Sequence, residues 1–279
     1  ATLQELLLSA LDSTPVMGME CASVSTPGSP KVRFADGTTI SPDAVIGADG
    51  IGSAVRSTVA PNAQPEPAGC VAYRGVTVVE DSTAANPGFE VWGEGSFVGC
   101  SPLGDGRTYW YATTTDRLAP DGSPGERKAA LSARFGSYPE PIPTLIESTP
   151  ADEVIVTPLA DISALDGWSS GAVTLAGDAA HPMLPFVGQG AAQTLEDAAI
   201  IAAALDRYDC PDTAFTAYEQ CRKPRAEQIV SAARRVGRLA TIDSYVGCRL
   251  RNLTARLIPT RLTRRLRATQ AVPSRLPDD

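Results

Sequence analysis

One stretch of the sequence, residues 172 to 198, constrains the fold more than any other. It reads AVTLAGDAAHPMLPFVGQGAAQTLEDA and begins with a short apolar run bounded by glycine, which predicts a buried strand. Gly177 and Asp178 follow this run directly. The pattern therefore predicts a single carboxylate at the end of a buried strand, a position from which a side chain can meet a ligand.

The second half of this stretch is a loop that leads into a helix. The loop carries Pro182 and Pro185, and Gly188-Gln189-Gly190 opens an alanine-rich helical pattern that reaches about Tyr208. Glycines let a backbone approach a ligand closely, and the free N–H groups at a helix start favour negative charge. This order of elements predicts a site for a ribose-bearing, partly anionic cofactor. The alternative is a plain strand-to-helix connection whose Asp and Gly residues only cap and turn.

The segment GDAAHPMLPFVGQGAAQTLEDA, residues 177 to 198, resembles the second FAD-binding motif of the single-component flavoprotein aromatic hydroxylases. Within that family it is most similar to the branch of salicylate and urate hydroxylases. The resemblance implies an oxidoreductase with FAD as cofactor and NADH or NADPH as electron donor. It also implies that a flavin hydroperoxide transfers hydroxyl to a small aromatic or heteroaromatic substrate, with O2 as co-substrate.

The same resemblance assigns roles to residues of this segment. Asp178, which follows Gly177, would accept hydrogen bonds from the ribityl hydroxyls, while Pro185 and Phe186 would lie against the flavin ring on the substrate side. The negatively charged N1–C2 carbonyl edge of reduced flavin would receive hydrogen bonds from the helix start, which comprises Gly188, Gln189, Gly190, Ala191 and Ala192. Some relatives have Asn in place of Ala192, so its contact would come only from backbone.

A second segment, VIGADGIGSAVR at residues 45 to 56, resembles the other signature of the family. It reads as a buried strand that ends in Asp49-Gly50, followed by a short helix that Ser53 could cap. The resemblance associates Asp49 and Gly50 with the FAD pyrophosphate region and the nicotinamide donor, and makes Arg56 a further cofactor-binding candidate. The alternative is that Asp-Gly after a strand forms only a turn.

The glycine motif GxGxxG, which precedes these segments in the family, does not occur in the 279 residues. Gly93-Glu94-Gly95 with Gly99 has the wrong spacing and lies in strand-like sequence. The sequence begins within a helical pattern at residues 2 to 11. We therefore expect an α/β fold with an FAD/NAD(P)-binding Rossmann-like domain that is incomplete at its N-terminus. A separate N-terminal nucleotide-binding segment would be its partner.

Residues 66 to 165 have a different sequence pattern from the two motif segments. Short strand patterns alternate there with Gly, Pro and Asp turns. The predicted strands are residues 70–79, 88–92, 96–101, 108–114 and 153–157, with a helix at 127–135. Such spacing predicts an antiparallel sheet, which in the family covers the flavin and lines the substrate pocket. We expect Phe97 and Tyr109, together with Phe186, to contact substrate. Because urate-hydroxylating members carry a cation near the position of Phe97, the substrate ring is expected to be more apolar than urate.

These patterns divide the chain into four parts. Residues 1–65 and 166–212 are expected to form the two pieces of the FAD-binding domain, and residues 66–165 an inserted β-sheet substrate domain. Residues 213–279 are expected to form C-terminal helices and a tail. A helix over residues 213–236, broken only at Pro224, carries the family segment of Tyr218, Glu219, Arg222 and Arg225.

Composition limits the other classes of function. The formal net charge of −8 and the pI near 4.8 argue against nucleic acid as a partner. Six scattered cysteines without a CxxC pair predict reduced, mostly buried thiols in a cytoplasmic protein. No apolar run reaches the roughly 18 residues of a membrane span. His181 is the only histidine, which excludes a His-based metal cluster, and we interpret it as structural rather than as a general base. No catalytic base is identified.

The cationic C-terminal end leaves two interpretations open. Leu250, Leu253 and Leu257 share a helical face beside several arginines, which is typical of a helix at a membrane surface or on nucleic acid. The favoured interpretation is a solvated helix that packs on its own domain. For the whole chain we predict the C-terminal portion of an FAD-dependent aromatic-ring monooxygenase. The alternatives are a non-enzymatic remnant that no longer holds FAD, and a related flavin epoxidase or reductase that acts on a lipid-like substrate.

Overall fold

The computed structural model of the chain describes residues 2–26, 28–78, 88–104, 106–116, 118 and 121–257. Its helices are α1 (Thr2–Ser9), α2 (Arg56–Val59), α3 (Pro124–Phe135), α4 (Ile142–Ser148), α5 (Gly190–Arg207), α6 (Pro211–Ala240) and α7 (Tyr245–Leu257). Its strands are β1 (Cys21–Ser25), β2 (Lys31–Phe34), β3 (Thr39–Ile40), β4 (Val45–Gly47), β5 (Glu66–Val78), β6 (Phe89–Trp92), β7 (Ser96–Gly104), β8 (Arg107–Thr114), β9 (Ile155–Asp161), β10 (Ser169–Ser170) and β11 (Val173–Leu175). The mixture of helices and strands confirms the predicted α/β class.

Two strands far apart in sequence pair in parallel and bring the two predicted motifs together. β4 and β11 are hydrogen-bonded in register, with Val45 opposite Val173 and Gly47 opposite Leu175. Parallel strands need a crossover connection, and here that connection contains the whole of the five-stranded sheet. β10 completes this small sheet in the order β10-β11-β4, and β1-β2-β3 form a separate antiparallel sheet.

The five-stranded sheet is antiparallel, as the alternating patterns predict, in the order β6-β7-β8-β5-β9. One of its faces packs against α3 and α4 around a core that includes Tyr73, Trp110 and Phe135. Ser123 caps α3 through a reciprocal pair of hydrogen bonds with Glu126. The short helix α4 is absent from the sequence prediction, because its seven residues follow two prolines and are too few to show a helical period.

The other face of this sheet meets the FAD-motif half of the molecule through a separate cluster of buried residues. Phe97 of β7 and Phe186 of the proline loop lie in this cluster with Cys70 and Ala240. The Phe186 ring lies so close to α6 that a Cβ on Gly237 would be 2.7 Å from it. The aromatic side chain therefore depends on a glycine in the facing helix.

Helix α6 departs from its prediction, because it runs without interruption through Pro224. A proline removes one backbone hydrogen bond and usually kinks or ends a helix. Here the helix buries Arg222, Ala226, Ile229 and Val230 against the rest of the chain. Packing of this face outweighs the local effect of the proline, as tertiary contacts commonly do.

The C-terminal helix α7 attaches through an arginine rather than through its leucines. Arg251 is buried, and its guanidinium donates to the carbonyl oxygens of Trp92, Gly93, Leu239 and Ala240. The leucine face is exposed, with Leu250, Leu253 and Leu257 at 58%, 56% and 74% exposure. Pro259 and the remaining tail lie outside the described residues. Among the described helices, none is long and apolar enough to cross a membrane.

Candidate functional site

The two predicted carboxylate motifs lie at the same edge of the parallel sheet. Asp49 follows β4 by two residues and Asp178 follows β11 by three, and the Ala176 N–H donates to the Gly47 carbonyl at 2.8 Å. The carboxyl ends of parallel strands are where α/β folds bind ligands. The structure therefore brings together two motifs that are more than 120 residues apart in sequence.

The Asp49 carboxylate is exposed but bonds mainly to its own loop. It accepts hydrogen bonds from the Ser53 hydroxyl at 2.5 Å and from the backbone N–H groups of Ala54 and Val55 at 2.8 and 3.2 Å. Ser53 in turn accepts from the N–H of Arg56 at 2.8 Å, as its predicted capping role requires. Gly50 has a φ of +79°, the left-handed conformation that this turn needs. Asp49 thus acts here as the cap of a tight turn.

Arg56 ties this first loop to the second one. Its buried guanidinium donates to the carbonyl oxygens of Gly50, Ile51 and Ala179, and the last of these belongs to the Asp178 loop. Its Nε is buried without a partner. Burial lowers the pKa of Arg56, against an opposing effect of the Asp49 charge. The guanidinium is thus occupied mainly by backbone carbonyls, and it holds the two loops in one arrangement.

The Asp178 carboxylate contrasts with that of Asp49, because no described residue donates a hydrogen bond to it. Asp178 is exposed, yet enough protein surrounds it that desolvation raises the pKa of its carboxyl, against the opposing effect of His181. Gly177 before it has a φ of +57°, and a Cβ there would lie 2.8 Å from the Thr194 hydroxyl. The chain therefore presents an unpaired hydrogen-bond acceptor at the strand end.

Below the Asp178 loop lies a buried polar network centred on Asp197 of α5. Asp197 accepts hydrogen bonds from the Gly177 N–H at 2.8 Å, from His181 Nε2 at 2.6 Å and from Arg222 Nε at 2.8 Å. Because a carboxylate only accepts, Nε2 of His181 carries the proton. Burial alone would raise the pKa of Asp197, but these hydrogen bonds outweigh it and hold the pKa below its ordinary value.

Arg222 extends this network along α5. It is fully buried, donates to both oxygens of Gln193 and pairs with Glu196 at 2.5 Å, and Glu196 also pairs with Arg225. The sequence prediction assigned no site role to Asp197. The sequence did contain opposite charges that could pair, because Glu196 and Asp197 lie near the end of the motif and the family segment on α6 contains Arg222 and Arg225. Only the fold shows that these two segments meet.

The proline loop leads into an uncapped helix start. Pro185, Phe186 and Val187 form one turn of 3₁₀ helix, and Gly188 follows with a φ of +62° and open space where a Cβ would point. Helix α5 begins at Gly190, and no side chain caps it at Gln189. The first-turn N–H groups, which include those of Ala191 and Ala192, are therefore available to an external acceptor.

An aromatic cluster connects this loop with the sheet. The ring of Phe97 lies 5.5 Å from that of Phe186 and 5.5 Å from that of Tyr111, measured between centroids. Tyr109 joins through Tyr111 at 5.8 Å. The structure thus places the three predicted substrate residues on one connected surface. Tyr111, which links them, was not among the predicted site residues, although the sequence places it on the same strand.

Two tyrosine hydroxyls mark the polar end of this surface. Tyr111 donates to a carboxylate oxygen of Glu90 at 2.9 Å. Burial raises the pKa of Tyr111, and the neighbouring Glu90 raises it further. Burial also raises the pKa of Tyr109, against a smaller opposing effect of the Arg74 charge. Both phenols therefore remain protonated at neutral pH and can donate hydrogen bonds.

Two cavities adjoin the motif loops. One of about 320 Å³ opens beside Phe186, Leu184 and Cys70, with Arg234 and Arg238 on its α6 side. A smaller one of about 120 Å³ lies beside Trp168 and His181. Phe97 and Tyr109 line neither of them. The described residues contain no group of three or more His, Cys, Asp or Glu side chains placed to hold a metal ion.

The arrangement of two strand-end loops, a free carboxylate and an uncapped helix start agrees with the comparisons with known proteins. The chain is 37% identical over 242 residues to 3-amino-4-hydroxybenzoate 2-monooxygenase of Streptomyces cremeus, which covers 85% of this chain and 60% of the relative. It is 35% identical over 229 residues to aurachin C monooxygenase/isomerase of Stigmatella aurantiaca, covering 81% and 59%. The chain therefore spans about three fifths of the length of these curated relatives.

A solved structure gives the same result at the level of the fold. The crystal structure of Klebsiella pneumoniae HpxO complexed with FAD and uric acid superposes with a TM-score of 0.77 at 25% identity. The match covers 84% of this chain and 61% of that one. Residues 26–233 match the family described as FAD binding domain. The chain belongs to this family of FAD-binding domains, as the motif around Asp178 predicts.

Proposed function

We propose that this chain is the flavin-ring and substrate-binding portion of an FAD-dependent monooxygenase. The reaction is hydroxylation of a small aromatic or heteroaromatic molecule with O2 and NADH or NADPH. The observation that carries the proposal is the free Asp178 carboxylate, which lies at a strand end near the uncapped start of α5. Named relatives that act on 3-amino-4-hydroxybenzoate and aurachin C, and a fold relative complexed with uric acid, support the substrate class.

The donors and acceptors at this edge fit a flavin. Asp178 supplies an acceptor for ribityl hydroxyls, and the positive end of the α5 dipole suits the negatively charged N1–C2 edge of a reduced ring. The open space at Gly188 leaves room for close approach of a ligand to the backbone. When bound, FAD supplies hydride acceptance and the activation of O2. The residues of this chain then position and shield the reacting groups.

Asp49, Gly50 and Arg56 remain cofactor-binding candidates, and their contacts support an indirect role. Asp49 holds its turn closed, and Arg56 joins that turn to the Asp178 loop through the Ala179 carbonyl. We propose that these residues act by keeping the backbone of both loops in place for the cofactor and for the nicotinamide donor. A direct contact would use the one lone-pair site of the Asp49 carboxylate that its three loop hydrogen bonds leave open.

The aromatic cluster supports a second proposed task, which is to keep water away from the reacting ring. Phe186 of the proline loop meets the sheet, where Phe97 contacts it edge to face, and exposed Pro185 precedes it. Phe97, Tyr109 and Phe186 would form one wall for the substrate ring, with the phenol hydroxyl of Tyr109 as a donor. His181 keeps its structural interpretation in this scheme, because its ring belongs to the buried network under the loop, where Nε2 donates to Asp197 and Asp197 also holds the Gly177 N–H.

The domain division follows from the same proposal. Residues 1–65 and 166–212 would carry the cofactor side, residues 66–165 the substrate sheet, and residues 213–279 the C-terminal helices. Because the 279 residues contain no GxGxxG, we propose that a separate nucleotide-binding segment holds the ADP half of FAD. The six free thiols fit a protein that works in the cytoplasm.

The test is substrate-dependent oxidation of NADH and NADPH by the chain combined with such a segment and FAD, using a panel of phenols and nitrogen heterocycles. We expect at least one compound to stimulate oxidation and to gain one oxygen atom from isotopically labelled O2. Bound flavin without any stimulated oxidation would contradict the monooxygenase assignment. Failure to bind flavin at all would favour the alternative of a non-enzymatic remnant.

A further inference from the structure

The sheet that carries the aromatic cluster has two unequal faces. Residues directly opposite each other in a register share a face, so Arg74 of β5 lies on the same face as Tyr111 of β8. The neighbouring pair, Tyr73 and Ala112, points to the other face and is buried in the core under α3 and α4. Arg74 therefore belongs to the face that carries Phe97 and Tyr109.

Arg74 is a half-buried cation without a carboxylate partner among the described residues. Its Nη2 donates to the Thr157 hydroxyl at 2.7 Å, and its Nε is buried with no hydrogen-bond partner. A guanidinium is charged at every accessible pH, and cations that lose contact with water are usually paired. The Tyr109 phenol also hydrogen-bonds to Arg74 but is neutral, so no described residue supplies a counter-charge.

Glu90, an anionic side chain in the same register row as Arg74, is too far away to pair with it. Glu90 lies on β6, and three strand spacings separate β6 from β5 in the sheet order. At roughly 4.8 Å per spacing the backbones are about 14 Å apart. Glu90 is also engaged by the Tyr111 hydroxyl. The face thus has a cationic end at Arg74 and an anionic end at Glu90, with the tyrosine rings between them.

We propose that Arg74 is a specificity-determining residue that binds an anionic oxygen of the substrate, such as a ring carboxylate. The inference rests on the proposed function, because it places the substrate ring against this face. The planar guanidinium offers parallel N–H donors that match a carboxylate, and the phenol of Tyr109 lies beside it. From the sequence alone we expected no cation beside the substrate, because Phe97 stands near the position at which urate-hydroxylating members carry one. The structure assigns the cation to the neighbouring strand.

The test compares a charged and a neutral ligand of the same shape. Binding of benzoate and of benzamide to the 279-residue chain is measured by calorimetry without added flavin, because the face is built by the chain itself. We expect benzoate to bind about tenfold tighter than benzamide, the size of one charge-assisted hydrogen bond. In Arg74→Gln the two affinities should become equal, and Arg74→Lys should retain part of the preference.

Controls separate this effect from misfolding and from general charge. Arg33→Gln removes an exposed cation from the separate β1-β2-β3 sheet and should leave the benzoate preference unchanged. Thermal unfolding of Arg74→Gln shows whether the variant is folded, and the Lys variant provides the second comparison. A wild-type chain that does not prefer benzoate, or a preference that survives in folded Arg74→Gln, would overturn the proposal. Because no flavin is involved, this failure is distinguishable from a failure to bind FAD.

Discussion

The loops after β4 and β11 have similar sequences, but their aspartates have different hydrogen-bond partners. Each places an aspartate just beyond the end of a short parallel strand, and the two strands are hydrogen-bonded neighbours. Asp49 receives three hydrogen bonds from its own loop. Asp178 receives none from the described residues, although both side chains are exposed. A strand followed by an aspartate therefore does not by itself indicate a ligand contact.

The difference lies in what supports each loop. In the first loop, the carboxylate of Asp49 itself accepts the hydrogen bonds that stabilise the turn. The Asp178 loop is held from below by Asp197, which binds the Gly177 N–H and the His181 ring. A second aspartate does the structural work there, and Asp178 stays available. The Asp49 carboxylate thus stabilises its own loop, whereas the Asp178 carboxylate has no partner among the described residues.

The largest expected effect comes from removing the support of the Asp178 loop. Arg222→Ala leaves the buried carboxylate of Asp197 without its arginine partner. Both side chains are fully buried, and Arg222 Nε lies 2.8 Å from Asp197 Oδ1. Removing one partner of a buried ion pair destabilises a protein by about 3–5 kcal/mol. Urea unfolding measures this loss. Lys223→Ala on the same helix, which breaks only an i,i+4 pair, should change stability by about 0.5 kcal/mol or less. Equal losses in the two variants would contradict the network.

Asp178→Ala should separate binding from stability. We expect the affinity for flavin to fall about 10- to 100-fold, since a charged acceptor is lost to the ribityl hydroxyls. The free energy of unfolding should stay within about 0.5 kcal/mol of wild type, because the carboxylate has no protein partner. Titration of flavin fluorescence and urea unfolding give the two values. An unchanged affinity would show that Asp178 does not contact the cofactor.

Asp49→Ala should affect stability more than flavin affinity, and both effects should be moderate. Loss of a cap of this kind costs about 1–2 kcal/mol, because Ala54 and Val55 lose the acceptor of their N–H groups. Flavin affinity should change less than in Asp178→Ala. The same pair of measurements checks both expectations. A larger effect on flavin than on stability would place Asp49 in direct contact with the cofactor.

The smallest expected effect is the pH dependence of stability that Asp178 and Asp197 cause. The folded-state pKa of Asp178 is raised, so its charged form destabilises the fold at neutral pH, and this penalty disappears as pH falls through the raised pKa. Asp178→Asn should thus be slightly more stable than wild type near neutral pH and equal to it in acid. Exposure of the carboxylate keeps the difference small. A stability advantage of the variant that persists or grows in acid would contradict the raised pKa.

The folded-state pKa of Asp197 is lowered, so the stabilisation that it contributes is present above its unfolded pKa. This stabilisation is lost as pH falls through the folded value. Urea unfolding in an acid series compares wild type with each Asn variant. If Asp197→Asn loses stability equally at all pH values, the charge of Asp197 is not what stabilises the loop.

The two loops could be predicted from the sequence, but the contrast between their aspartates could not. The apolar run, Gly177-Asp178 and the glycines before α5 are local signals, and each element appears where its pattern predicts. The Asp-Gly turn between β2 and β3 is likewise local, with Gly37 at a φ of +89°. Local signals of this kind depend on a few neighbouring residues, so one sequence suffices to find them.

The remaining features depend on contacts between distant segments. Asp197 becomes structural only when α6 brings Arg222 against α5, 25 residues later in the chain. Arg74 becomes a candidate substrate contact only when the register of β5 and β8 places it opposite Tyr111. The attachment of α7 through buried Arg251, with Leu250 left exposed, is also visible only in the fold. No periodicity within one segment carries such information.

Binding of riboflavin to the 279-residue chain tests the central claim most directly. Riboflavin has the ring and the ribityl chain but lacks the ADP half, so it isolates the part of FAD that this chain is proposed to hold. We predict that the chain quenches riboflavin fluorescence in a saturable way. FAD should compete with riboflavin, ADP should leave the binding unchanged, and Asp178→Ala should weaken it. Absence of riboflavin binding, or displacement by ADP alone, would contradict the assignment of this strand edge to the flavin ring.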